Sequence, residues 1–159
     1  ADEKAAAKEV LKAMDEGSKR RRMAAAILGA AVQRMITVHQ KDADWVLGGD
    51  FNTSTRDEAC IRVLSQVFDT TGDPPIDQRG QDGTNASRRK PYDWVLADAE
   101  LQRWMTPVEI GGDRFDSGLV VDTRVFRPIA AIAPSKGADS GVPNMQHMAV
   151  VKDYLIPPR

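Results

Sequence analysis

A chain of 159 residues is long enough for one domain with a real core, and 42% apolar with 28% charged residues is ordinary globular composition. A net charge of −1 and a pI near 6.2 supply no global positive field, which argues against non-specific nucleic-acid or anionic-lipid binding but leaves room for an enzyme that meets phosphates at a local site. One cysteine, Cys60, excludes an intrachain disulfide and a cysteine-based zinc cluster, and no apolar run approaches the length of a membrane span.

The opening stretch ADEKAAAKEVLKAM predicts an exposed helix ending near Gly17, so residues 1–18 are set apart as a helical segment or linker ahead of a domain over 19–159. The basic cluster SKRRRM (18–23) reads as the solvated start of a longer helix rather than a nucleic-acid patch. In that helix Ala24, Ile27, Leu28, Ala31, Val32 and Met35 fall on one apolar stripe, which is expected to face a core. His39 lies where the helix should fray and is read as an exposed residue near the negative helix end. No secretory signal is visible from Ala1 onward, and one further upstream would not be seen, so the compartment is left open.

ADWVLGGD (43–50) follows as a short buried strand. NTSTRDEACIRVLSQVF (52–68) predicts a loop with Ser/Thr caps, then a helix with Ala59, Ile61, Val63, Leu64 and Val67 partly inward; Cys60 there is a small buried hydrophobe rather than a nucleophile. Residues 69–90 are dense in Gly, Pro, Asp and Asn and predict a long surface loop, with Asp69, Asp73, Asp77 and Asp82 as turn formers that match no calcium-loop pattern. Within it, SRRK (87–90) reads as a solvated segment rather than a phosphate contact. PYDWVLAD (91–98) is a second strand, with Tyr92, Trp94 and Leu96 alternating against Asp93 and Val95. AELQRW is a short helix, TPVEIG and LVVDTRVF are strand-like, and MAVV (148–151) is the core of a final strand. The order of elements is a mixed α/β or α+β layout.

Three strand-end signals carry chemistry: Asp50 with Asn52, Asp93, and His147. Each also has a structural reading. Asp-x-Asn after two glycines can cap the next helix, Asp93 can face solvent from its strand, and a histidine before an apolar strand can be purely structural. Their order is more specific. GGDFN, then YDWVL, then QHMAVV resembles the endonuclease/exonuclease/phosphatase superfamily, and the preceding alanine-rich helix with Arg21 and Arg22 is similar as well.

That resemblance implies an α+β fold, a deoxyribonuclease I-like two-sheet β-sandwich flanked by helices, of which this chain resembles the C-terminal half. It implies a phosphoric ester hydrolase working with Mg²⁺ (or Mn²⁺) on a phosphate-ester substrate, nucleic acid being possible but not indicated by charge. Asp50 would orient or deprotonate the attacking water, and Asn52 would hold that water or a phosphate oxygen. His147 would stabilise charge on the scissile phosphate, and Asp93 would fix the His147 ring and its proton. Such chemistry needs cations and donors around phosphorus and a base for water.

Two departures qualify it. Gln146 stands where the family usually has Asp, so a weak oxygen ligand replaces a charged one, with Asp50 as the other weak ligand. The family's N-terminal strands, one ending in Asn and one bearing the main metal-binding Glu, find no match here: Glu3, Glu9 and Glu16 all lie in the predicted N-terminal helix. The expectation is a phosphoesterase that requires a missing N-terminal half as structural partner. The alternative is a catalytically impaired remnant that binds phosphate or a partner without cleaving.

Overall fold

The computed structural model describes residues 44–158 together with 26, 27 and 30. The expectations for residues 1–18, the cluster at 18–23, the rest of the apolar stripe, His39, Arg21, Arg22 and Glu3, Glu9 and Glu16 lie outside the described residues. Ile27, placed by its periodicity on a core-facing stripe, is instead 52% exposed, and neither buried cluster includes it.

The class is mixed α+β, with short helices and several small antiparallel sheets. In chain order the elements are β1 (Val46–Asp50), α1 (Ala59–Leu64), β2 (Asp93–Ala97), α2 (Ala99–Gln102), β3 (Met105–Thr106), β4 (Val108–Ile110), β5 (Asp113–Phe115) and β6 (Leu119–Val121). Two 3₁₀ turns (Ile129–Ile132 and Asp139–Gly141), β7 (Ala149–Val151) and β8 (Asp153–Tyr154) complete the fold. The pairs are β1–β2, β3–β8, β4–β5 and β6–β7, all antiparallel. No helix among the described residues is long and apolar enough to cross a membrane.

The alternation in β2 works as its sequence predicts. Trp94 and Leu96 are buried against Cys60, Ile61, Leu64 and Phe68, while Trp45, Leu47, Phe51 and Val67 pack around them. Full burial of each such Leu or Phe contributes about 1.5–3 kcal/mol. The Asp98 carboxylate binds this unit together at two points: one oxygen accepts from the Leu101 N–H at 2.8 Å and caps α2, and the other accepts from the Trp45 N–H at 2.7 Å. The expected Ser/Thr cap of α1 is not formed. Glu58 precedes α1 without a side-chain cap, its carboxylate turned back to the Ser54 N–H. A second cluster joins Val108, Phe115, Leu119 and Phe126.

The long segment before β2 has no regular structure, as predicted, but it is not a solvated surface. Asp77, Gly83, Thr84 and Asn85 are buried, and the Arg88 side chain is 7% exposed, not solvated as SRRK suggested. Arg88 lies 2.6 Å from Asp77 and 3.2 Å from Asp122, and Asp122 is also gripped by Arg124 at 2.7 Å. Two buried carboxylates need cations, and local composition does not reveal that distant ones exist. Gly83 has a steric reason: a methyl group there would land on the Arg88 carbonyl.

This network predicts acid lability. Burial opposes ionisation of Asp122, but hydrogen bonds from Arg124 and the charges of Arg124 and Arg88 outweigh it and hold the carboxyl below its ordinary value. The unfolded chain therefore takes up this proton first as pH falls from an unfolded value of about 3.9, so the stabilisation is complete above that pH and is lost as pH drops through the folded value. Thermal unfolding across a pH series should show Tm falling below about pH 4, with the fall reduced in Asp122→Asn. An unchanged acid profile in that variant would remove the network as the cause.

Candidate active site

The site is built at the joined ends of β1 and β2. Their register sets Asp50 opposite Asp93, and the Phe51 N–H donates to the Tyr92 carbonyl at 2.7 Å, which carries the pairing one step further. Gly49 takes φ 156° before the strand end, a backbone state that favours glycine. Asn52 takes φ 54°, tolerable for Asn because its short amide bonds locally. Its backbone N–H donates to Asp50 Oδ1 at 2.8 Å and its side-chain amide to Asp50 Oδ2 at 3.3 Å, so Asp50 and Asn52 form one fixed unit.

The turn beyond is anchored from below. Trp94 Nε1 donates to Thr53 Oγ1 at 2.9 Å and to the Pro91 carbonyl at 2.8 Å, and the Thr53 hydroxyl donates to that carbonyl too. Phe51 stacks near Trp94, and the Arg56 guanidinium lies 4.8 Å from the Trp94 ring centre.

His147 arrives from the far end of the chain, just ahead of β7. Its Nδ1 is 3.1 Å from both oxygens of Asp93, and its Nε2 is 3.8 Å from Asp50 Oδ2. An ionised carboxylate only accepts, so the Asp93 contact requires a proton on Nδ1 and leaves Nε2 turned toward Asp50 and solvent. The 3.8 Å gap is too long for a direct hydrogen bond and suits a water shared by the two side chains. His147 and Asp50 are 40% and 39% exposed at their side chains and Asp93 18%, so the rim is reachable while its supporting acid is shielded. The Tyr92 ring forms one wall, 5.9 Å from the imidazole, with the Lys90 ammonium 6.0 Å from the Tyr92 ring centre.

All three strand-end signals thus converge. Asp93 does not face solvent, and Asp50 with Asn52 does not cap α1. Gln146 is exposed, and its carbonyl accepts from the Ala86 N–H at 3.0 Å. Asp50, Asp93 and His147 each offer a ligand atom within 4.8 Å of one another. Of these, Asp93 is committed to the imidazole, so a hard cation would meet Asp50 alone of the three as an oxygen ligand: one edge of a shell, not a closed cage.

Behind the rim is a cavity of about 40 Å³ bordered by Asp93, Thr84, Asp69, Arg56 and Lys152. That is room for water and not for a substrate, so chemistry belongs to the open rim. Burial pushes the Lys152 ammonium below its ordinary pKa, opposed by the Asp69 carboxylate and aided by Arg56.

Sequence reasoning missed Thr53, Thr84 and Asn85, all buried and all holding the strands that carry the site. Thr and Asn in a Gly-rich loop look like turn formers, and no local signal separates them from ordinary ones. No protein-family model, curated protein or solved structure matches this chain.

Proposed function

We propose that the chain is a divalent-metal-dependent phosphoesterase of the endonuclease/exonuclease/phosphatase kind, built on a deoxyribonuclease I-like two-sheet sandwich. The observation that carries this reading is the meeting of Asp50, Asp93 and His147, with Asn52 locked onto Asp50, at one solvent-accessible rim. In it, Asp50 orients the attacking water and draws its proton. His147, braced through Nδ1 by Asp93, directs Nε2 at the phosphate and stabilises the charge developing there, while Asn52 holds Asp50 in place and faces the same group. Bound Mg²⁺ or Mn²⁺ would supply Lewis-acid stabilisation of the phosphoryl oxygens. The remaining oxygen ligands would come from an N-terminal half of the domain.

The partial shell at Asp50 and the neutral Gln146 favour one second reading, a protein that binds phosphate without cleaving it. Hydrolysis of bis(p-nitrophenyl) phosphate separates the two. The phosphoesterase reading expects turnover that needs Mg²⁺ or Mn²⁺ and returns to background with a chelator. Phosphate-induced shifts of the His147 resonances with no turnover under any metal would favour binding alone.

A further inference from the structure

We propose that Thr84 is a positioning residue that sets the separation between Asp93 and His147. The inference rests on the phosphoesterase reading only for its catalytic consequence; its structural content stands on backbone and hydroxyl geometry.

Asp93 and His147 are 54 residues apart; Asp93 opens β2 of the β1–β2 sheet, and His147 stands just ahead of β7 of the β6–β7 sheet. No ladder joins β2 to β7. Residues 84–86 lie between them and bond to both sides. The Thr84 hydroxyl oxygen accepts from the backbone N–H of Asp93 at 2.7 Å, and the Thr84 carbonyl accepts from the N–H of Met148 at 2.7 Å. Asn85 forms an antiparallel bridge with His147 itself, and the Ala86 N–H donates to the Gln146 carbonyl at 3.0 Å. One residue therefore holds the main chain of the acid through its side chain and the main chain beside the imidazole through its backbone.

Thr84 is 1% exposed, which keeps its hydroxyl bond to the Asp93 main chain out of bulk solvent. Its β-branch restricts χ1 and keeps the oxygen aimed at Asp93. The loop that carries it is closed by its own bonds. The Thr84 N–H donates to the Lys90 carbonyl at 2.8 Å, and Asn85 Oδ1 accepts from the N–H groups of Arg89 and Lys90, each at 2.9 Å. Arg88 in the same loop is fastened to Asp77 and Asp122. Thr84 touches no reacting group. It acts by holding Asp93 where both carboxylate oxygens meet Nδ1.

The test compares Thr84→Ser, Thr84→Ala and Thr84→Val in the full chain. The protein has two histidines, so a His39→Gln background isolates the ring-nitrogen spectrum of His147. The native chain and the serine variant are expected to show the Nδ1-protonated pattern of a carboxylate-bound imidazole. The alanine and valine variants are expected to show tautomer averaging with the buried-tryptophan fluorescence retained. If the native chain cleaves a phosphodiester, kcat in the alanine variant should fall about 10²-fold with KM little changed and recover in the serine variant.

A folded alanine or valine variant with a native ring-nitrogen pattern overturns the proposal. Should valine not fold, the serine and alanine variants decide, since they differ only in the hydroxyl; equal spectra overturn it. Folding of serine alone assigns the hydroxyl to stability and overturns it as well. Loss of the pattern in alanine with no cleavage by any of these chains leaves the positioning role standing and removes cleavage by residues 1–159 on their own. Cleavage by the native chain with an unchanged alanine spectrum does the reverse.

Discussion

His147→Ala is expected to lower metal-dependent hydrolysis of an aryl phosphodiester by about 10²–10⁴-fold, the range for removing a positioned acid–base group or a donor to developing charge. The imidazole is the one group at the rim that can change from acceptor to donor at Nε2, with Asp93 holding its other nitrogen. Among the described residues neither Asp50 nor Asp93 replaces it, because both are acceptors when ionised. Stability should change little, by about 0.5 kcal/mol, since the side chain is 40% exposed and packs against Tyr92 on one side only. Initial rates and a urea titration on the same preparation check both halves. Full activity in a folded His147→Ala protein would end the proposed mechanism, and a large loss of stability would turn any rate effect into an unfolding effect.

Arg88→Ala carries the second large effect, this time on stability. Its guanidinium stands between two carboxylates whose side chains are 1% and 3% exposed, Asp77 and Asp122. Removing one partner of a buried ion pair costs about 3–5 kcal/mol because the other charge stays buried without compensation. The lower end applies here. Asp122 keeps Arg124 at 2.7 Å, and Asp77 Oδ1 still accepts from the N–H groups of Arg79 and Gln81 at 2.8 and 3.0 Å. A loss near 3 kcal/mol is a large part of the total stability of about 5–15 kcal/mol usual for a domain, so the urea midpoint should fall steeply.

Arg88→Lys is expected to recover only part of the loss. A single ammonium cannot reproduce a fork that reaches Asp77 through Nη2 and Asp122 through Nε. The second of these, at 3.2 Å, is a charge contact without hydrogen-bond alignment, which makes the Asp77 arm the stronger. Arg88 also holds φ 60°, costly for a residue with a Cβ, and its ion pairs keep it there. A midpoint within error of the native one in Arg88→Ala would show that loop 77–90 is held by its backbone bonds alone.

The parts of this protein readable in advance are those with a local signature. The alternation specified that Trp94 and Leu96 lie on the buried face of β2, since a strand turns each successive side chain to the opposite side; Tyr92 precedes the strand and is only half-buried. The apolar runs before Asp50 and after His147 marked strands, and the polar residues at their ends marked the candidate site. Cys60 was correctly read as a buried thiol from the apolar positions around it. The cap of α1 was misread because several Ser and Thr residues precede it, while Glu58 settles the start without a side-chain cap. SRRK was misread for a stronger reason: a run of cations looks solvated unless buried acids elsewhere in the chain are known to meet it.

By itself the sequence determined β1, β2 and β7, the buried face of β2 and the presence of an acid, an acid–amide pair and an imidazole at strand ends, because period-two patterning and glycine stops act within a few residues. The expectation of a buried strand at 43–50 fails: four of the five residues of β1 are exposed, Val46 at 53%, because only Leu47 of the strand packs against the core. Only the tertiary structure decided that Asp50, Asp93 and His147 share one rim, that Thr84 and Asn85 lie between their strands, and that Arg88 is buried between two acids. Those facts depend on closing long stretches of chain, and the side chains that meet carry no mark of one another until the chain has folded.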